Sequence, residues 1–178
     1  MISIRRADIN DAVSIATIHV VAWRETYRGI VPDDFLRELS IERRTANWIM
    51  SLSNPYSDYY RCFVAEVDGQ VVGFCNYGFP QENASGFDGE LFAIYILRSA
   101  QGRGVGRQLV DAAVKGLTDI GSTSMLVWVL KDNKSARGFY EHLGGVYVSE
   151  KPIEIGGRDL MEVAYGWSDL SGFWGGDV

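Results

Sequence analysis

The segment Gln101-Gly102-Arg103-Gly104-Val105-Gly106 places three glycines in six residues between an apolar run and an amphipathic stretch. Glycine at such a junction lets the backbone turn sharply and lets a ligand approach the main chain closely. The first N–H groups of the following helix have no intrahelical partner, and with the helix dipole they form a site for phosphate or pyrophosphate. Arg103 and Arg107 add charge-assisted donors to the same place. The competing reading is a glycine-rich connection that binds nothing. Two phosphate-binding schemes fail on the residues: no GxxxxGK run followed by Ser or Thr exists, and GxGxxG is broken because Arg107 stands at its third glycine.

Around this turn the chain reads as one α/β domain with a mixed sheet. Its 178 residues suffice for a single core without staples. Residues 2–7 alternate as a strand, and Asp8 is suited to cap a helix whose apolar stripe of Ile15, Ile18, Ala22 and Tyr27 runs to Gly29. Asp11 falls in its first turn, where the dipole favours a carboxylate. Pro32 opens a second helix, and 41–52 forms a third helical segment. Two β-rich runs, 60–67 and 70–77, flank Asp68-Gly69, a hairpin signal. Residues 80–89 read as a loop, 90–97 and 124–130 as buried strands, and 104–119 as the amphipathic helix between them. A short helix over 133–143 closes at Gly144-Gly145. Strands at 146–149 and 160–165 follow, the second introduced by Gly156-Gly157. Residues 1–170 make the domain and 171–178 a tail, in which Phe173 and Trp174 either cover an interface or dock locally.

Composition excludes several partners. With 17 Lys and Arg against 23 Asp and Glu, the formal charge is −6, which disfavours a phosphate backbone and is compatible with an amine. Two cysteines, Cys62 and Cys75, both in strand runs, make no disulfide framework and fit a reducing cytoplasm. The N-terminus lacks the apolar stretch of a signal peptide, and no apolar run is long enough to span a bilayer. Two distant histidines and scattered carboxylates make no metal site. No nucleic acid, membrane or metal is expected.

The segments LFAIYILRSAQGRGVGRQLVDAAV and DNKSARGFYEHLGG together resemble two consecutive core motifs of the GCN5-related N-acetyltransferases (GNAT), over roughly residues 90–145. The turn fits that family's Gln/Arg-x-x-Gly-x-Gly/Ala pattern through Gln101, Gly104 and Gly106, and Arg98 stands where many members have proline. The resemblance implies a single-domain GNAT-like fold, with acetyl-CoA lying between two splayed parallel strands at 90–97 and 124–130. It implies that the main chain at Ile94, Tyr95 and Ile96 pairs with the pantetheine arm. It further implies that Gly102, Arg103, Gly104, Val105, Gly106 and Arg107 hold the pyrophosphate and that Asn133 contacts the cofactor, a role compatible with capping the helix it begins.

Asn133 and Tyr140 are seven residues apart, about two helical turns and nearly one face. In the resembling enzymes a tyrosine at this place protonates the departing thiolate. Phe139 and Tyr140 cannot share one helix face, so one packs and Tyr140 is taken as the general acid. The acceptor arrives as an ammonium and must lose a proton, and Glu90, at the head of the cofactor strand, is the candidate base acting through water. Members that acetylate a ribosomal protein N-terminus carry a glutamate where this chain has Trp128, which favours a small amine or amino-acid-like acceptor. His19, inside the first helix, reads as a packing residue. Trp23, Glu25, Tyr27 and Arg28, near the end of that helix, are candidate acceptor contacts.

The implied activity is transfer of acetyl from acetyl-CoA to a primary amine by direct attack, in a monomer or homodimer. The alternative class is a non-catalytic acyl-CoA-binding sensor or interaction module, which would need the glycine turn but neither an acid nor a base. Acceptor identity stays open between small amine, amino acid, antibiotic, polyamine and protein N-terminus.

Overall fold

The computed structural model describes residues 1–54, 61–80 and 86–173. Tyr60, residues 81–85 of the loop expected over 80–89, and Trp174 with the rest of the tail lie outside the described residues. Seven strands form one sheet in the order β1-β2-β3-β4-β5-β7-β6. They are β1 (Ile2–Arg6), β2 (Arg61–Val67), β3 (Gln70–Gly78), β4 (Glu90–Ile96), β5 (Met125–Leu130), β6 (Val146–Ile155) and β7 (Arg158–Trp167). The helices are α1 (Ala12–Thr26), α2 (Asp33–Glu38), α3 (Ile41–Leu52), α4 (Val105–Asp119) and α5 (Lys134–His142). Among the described strands only β4 and β5 pair in parallel; the other neighbours are antiparallel.

The central strands are apolar on both faces because helices cover both. Val64 and Phe74 pack with Ile15, Ile18 and Trp48 of α1 and α3. Their neighbours Ala65 and Cys75 pack against Leu109, Ala113 and Leu117 of α4 on the other face. That alternation along β2 and β3 follows the two-residue period of a strand. The hairpin between them turns at Asp68 and Gly69, both with positive φ, as the Asp-Gly pair requires. Both cysteines are buried thiols, and burial pushes Cys75 up to about 12, so neither is a nucleophile at neutral pH.

Asp8 caps the first turn by accepting the Asn10 N–H at 2.7 Å, while Asp11 accepts the Asp8 N–H at 2.8 Å. Asp11 does more than meet a helix dipole. It is 5% exposed and takes both Arg5 Nη nitrogens at 2.7 Å, and Arg5 also holds Glu66. The Arg5 guanidinium keeps the Asp11 carboxyl below its usual range.

The last two strands are longer than their sequence suggests. β6 runs through Ser149-Glu150-Lys151-Pro152, a polar stretch with a proline that reads as loop. It is the edge of the sheet, paired on one side to β7, and an edge tolerates polar residues and a proline. The extension carries Lys151, Ile153 and Ile155, which share one face of the strand.

The feature that positions the site is the parting of β4 from β5. Their pairing is confined to Glu90↔Leu126 and Leu91↔Val127. At the joined end Asp88 clamps the two chains. Its carboxylate accepts the backbone N–H groups of Thr123 and Ser124, at 3.0 and 2.8 Å, and both their hydroxyls. Beyond it, β3 pairs Tyr77 with Leu91 and then Asn76 with Ala93, so Phe92 is an extra residue in β4. Such a bulge bends the strand that carries it. β4 therefore leaves β5, and a wedge opens towards their C-terminal ends.

Candidate active site

The wedge continues into a cleft of about 1100 Å³. Its lining comes from β4, the start of α4, β5, α5, the end of α1, and the β6–β7 hairpin. One half is bounded by the glycine turn and α5; the other is bounded by α1, Trp128 and β6–β7.

In the first half, Gly102 (φ +71°) and Gly104 (φ +83°) adopt left-handed backbone that other residues rarely enter. A Cβ at either would meet nothing within 4 Å, so the space outside the turn is open to a ligand. Gly104 stands at the N-cap of α4, whose first N–H groups have no helical acceptor. Gly106 has another reason to be glycine. A Cβ there would come within 3.2 Å of Phe139 and 3.3 Å of Ile96, so it is a packing position between α4, α5 and β4. Val105 is 1% exposed with its side chain in the core, and can offer a ligand its backbone alone.

The two arginines separate. Arg107 lines the cleft, its Nε donating to Asp111 at 2.9 Å, whereas Arg103 is exposed and is not part of the lining. Gln101 also lines the cleft, and its side-chain amide donates to the Ile96 carbonyl at 3.1 Å. Asn133 is 8% exposed, and its Oδ1 caps α5 by accepting the Ala136 N–H at 3.1 Å.

The β4 backbone corrects one expectation. Leu97 donates its N–H to Val72 on the β3 side, and strand alternation puts Tyr95 and Ala93 on that same edge. The main-chain groups of Ile94 and Ile96 face the wedge, and those of Tyr95 do not. Tyr95 contributes its side chain instead, its hydroxyl 3.5 Å from that of Tyr27. Burial raises the pKa of both phenols, so both keep their protons.

Tyr140 lies in the cleft wall, 5% exposed, its ring against Phe139, Tyr165 and Trp167 at 5.4, 6.4 and 6.3 Å. Burial pushes its hydroxyl well above the ordinary value and keeps it protonated, the state an acid needs. The expected division between Phe139 and Tyr140 does not hold: both line the cleft, and Tyr140 is the more buried.

In the other half, Trp23 and Tyr27 stack edge to face at 4.7 Å and line the cleft with Glu25 and Thr26. Arg28, on the exposed side of the helix end, is not part of the lining. His19 is a packing residue, stacked on Tyr95 at 5.1 Å, and burial lowers its pKa to about 3. It is neutral at physiological pH and lies behind the cleft wall. Glu90 lines the cleft beside Phe92, near the joined end of β4 and β5.

Sequence reading missed the hairpin side of this half. Lys151 places its Nζ 4.4 Å from the centre of the Trp128 ring and 3.5 Å from Glu162, and Ile153 and Ile155 extend the same face. The 151-153-155 alternation was the available signal, interrupted by Pro152. Three carboxylates, Glu25, Glu90 and Glu162, line this half.

A left-handed glycine turn at a helix N-terminus, opening on a parted pair of parallel strands, can hold an extended phosphorylated ligand along one half of the cleft and leaves the other half for a second molecule. The family model described as Acetyltransferase (GNAT) family matches residues 20–145. The chain is 38% identical over 173 residues to the uncharacterized N-acetyltransferase YuaI of Bacillus subtilis (strain 168), covering 96% of this chain and 95% of that one. It is 29% identical over 171 residues to the probable N-acetyltransferase Rv2775 of Mycobacterium tuberculosis, covering 92% of each. The PaiA N-acetyltransferase from Thermoplasma acidophilum, solved in complex with coenzyme A, shares the fold with a TM-score of 0.72 at 19% identity, covering 92% of this chain and 98% of that one. The chain belongs to the GNAT family and is an N-acetyltransferase that uses acetyl-CoA.

Gly104→Val tests the turn. The fold has room for a Cβ at this position, at a left-handed strain of about 1–2 kcal/mol. The ligand would lose a backbone contact worth roughly tenfold or more in affinity. Calorimetry should show a folded variant with weakened CoA binding; unchanged affinity would remove Gly104 from the site.

Proposed function

We propose that the protein moves the acetyl group of acetyl-CoA directly to a primary amine, favouring a small amine or amino-acid-like acceptor. The observation that carries this reading is the parting of β4 from β5 beyond Leu91, which leaves the Ile94 and Ile96 main chain facing a two-sided cleft. Those groups fit an amide-bearing pantetheine arm. The open space beyond Gly102 and Gly104, with Arg107 beside it, fits a pyrophosphate.

Bound acetyl-CoA supplies an activated acyl group as a thioester. Glu90 takes a proton from the acceptor ammonium through water, freeing the nitrogen lone pair to attack. Tyr140 gives its proton to the sulfur as the carbon–sulfur bond breaks. Trp23, Tyr27 and Trp128 wall the acceptor half, and its three carboxylates against one ammonium, that of Lys151 beside Glu162, favour an approaching cation. Both thiols are buried with raised pKa, in keeping with transfer without an acyl-enzyme.

Two substitutions test the roles. Tyr140→Phe keeps the ring, so CoA affinity should hold while turnover with a reactive amine falls about 10²-fold or more. Full turnover with a lowered Tm would make Tyr140 a packing residue. Glu90→Gln should lower turnover about 10²-fold at pH 7 and recover as pH rises towards the amine pKa of about 10. An unchanged pH profile would place the base elsewhere. Thiol release from acetyl-CoA over a panel of amines measures both, and no release with any amine would favour the binding-module alternative.

A further inference from the structure

The segment that follows β7 reaches Arg107, a residue of the cleft lining. Leu170 is 2% exposed in the main core, and its N–H donates to the Thr123 carbonyl at 2.9 Å. The Phe173 N–H donates back to the Leu170 carbonyl at 3.2 Å, which turns the chain tightly. The turn lays the Phe173 ring against Trp167, edge to face at 6.2 Å. It also brings the ring under the Arg107 guanidinium, whose Cζ lies 5.5 Å from the ring centre.

Arg107 is thus held twice. Its Nε donates to Asp111 one turn along α4, and its planar group stands over an aromatic face. The guanidinium carries five N–H donors in a rigid fork, and the Asp111 contact uses the one nearest the stem. An arginine side chain 41% exposed has many rotamers to lose on gripping a ligand, and a fork already oriented loses fewer. We infer that Phe173 is a positioning residue of the coenzyme site, its ring holding Arg107 in the orientation that meets the pyrophosphate. This inference rests on the reading of the glycine turn as the pyrophosphate site.

The test compares binding of CoA and of pantetheine, which lacks the pyrophosphate, by ligand-observed NMR. Phe173→Leu keeps an apolar side chain without the π face, and Phe173→Tyr keeps the face. Phe173→Leu should weaken CoA about two- to fivefold, the scale of a cation–π contact at an exposed site, and leave pantetheine unchanged. Phe173→Tyr should bind CoA as the unaltered chain does. In an Arg107→Ala background, Phe173→Leu should cost nothing further, because the ring acts through Arg107. Unchanged CoA affinity in Phe173→Leu, equal losses for CoA and pantetheine, or additive losses with Arg107→Ala would each overturn the inference while leaving the pyrophosphate reading intact. Unchanged CoA affinity in Arg107→Ala would instead remove Arg107 from the pyrophosphate site, and the inference with it.

Discussion

Two parallel strands tied at one end and parted at the other are the constraint on which this molecule depends. Asp88 supplies the tie, holding the Thr123 and Ser124 backbone next to the two paired positions of β4 and β5. The Phe92 bulge supplies the parting. A sheet normally satisfies every interior N–H and C=O across its strands. Here the edge of β4 beyond Leu91 meets a cleft instead, so the backbone can receive a ligand as a substitute strand. The α4 N-terminus and the α5 cap at Asn133 converge on the same opening because each helix follows one of the two parted strands.

Burial assigns protonation states around that opening. Tyr27, Tyr95 and Tyr140 all sit in or against the cleft wall, and desolvation raises all three phenols. Each is a proton carrier at neutral pH, and Tyr140 is the one on the helix that begins at Asn133. His19 shows the opposite consequence of the same physics. Burial strips its charge, so the residue type most often used as a base is here a neutral plate stacked on Tyr95. Glu90 keeps the base role in the proposal by position, since it lines the cleft beside the acceptor half.

Much of this arrangement was legible in the residues themselves. Local signals carried it: Asp68-Gly69 for the hairpin, the glycines at 102 and 104 for a left-handed turn, and Asn133 as a cap. What escaped was set by tertiary pairing. The Phe92 bulge fixes whether the even- or the odd-numbered β4 groups face the wedge, and no local pattern reveals an extra residue that only the partner strand defines; that Ile94, Tyr95 and Ile96 cannot all face it follows from strand alternation alone. Pro152 hid the continuation of β6, and with it Lys151, Ile153 and the Trp128 contact. The Arg5–Asp11–Glu66 cluster joins residues up to 61 positions apart, beyond any spacing rule. Arg28 and Arg103 have the right chemistry and chain position, but their local geometry leaves them outside the cleft lining.

The central claim is that β4 receives the coenzyme as a strand would. Amide hydrogen exchange at single-residue resolution, with and without saturating CoA, tests it most directly. The account predicts that the Ile94 and Ile96 amides, which face the wedge, become protected when CoA binds, while the Tyr95 amide, on the β3 edge, changes little. Bound CoA with no added protection at Ile94 and Ile96 would contradict it.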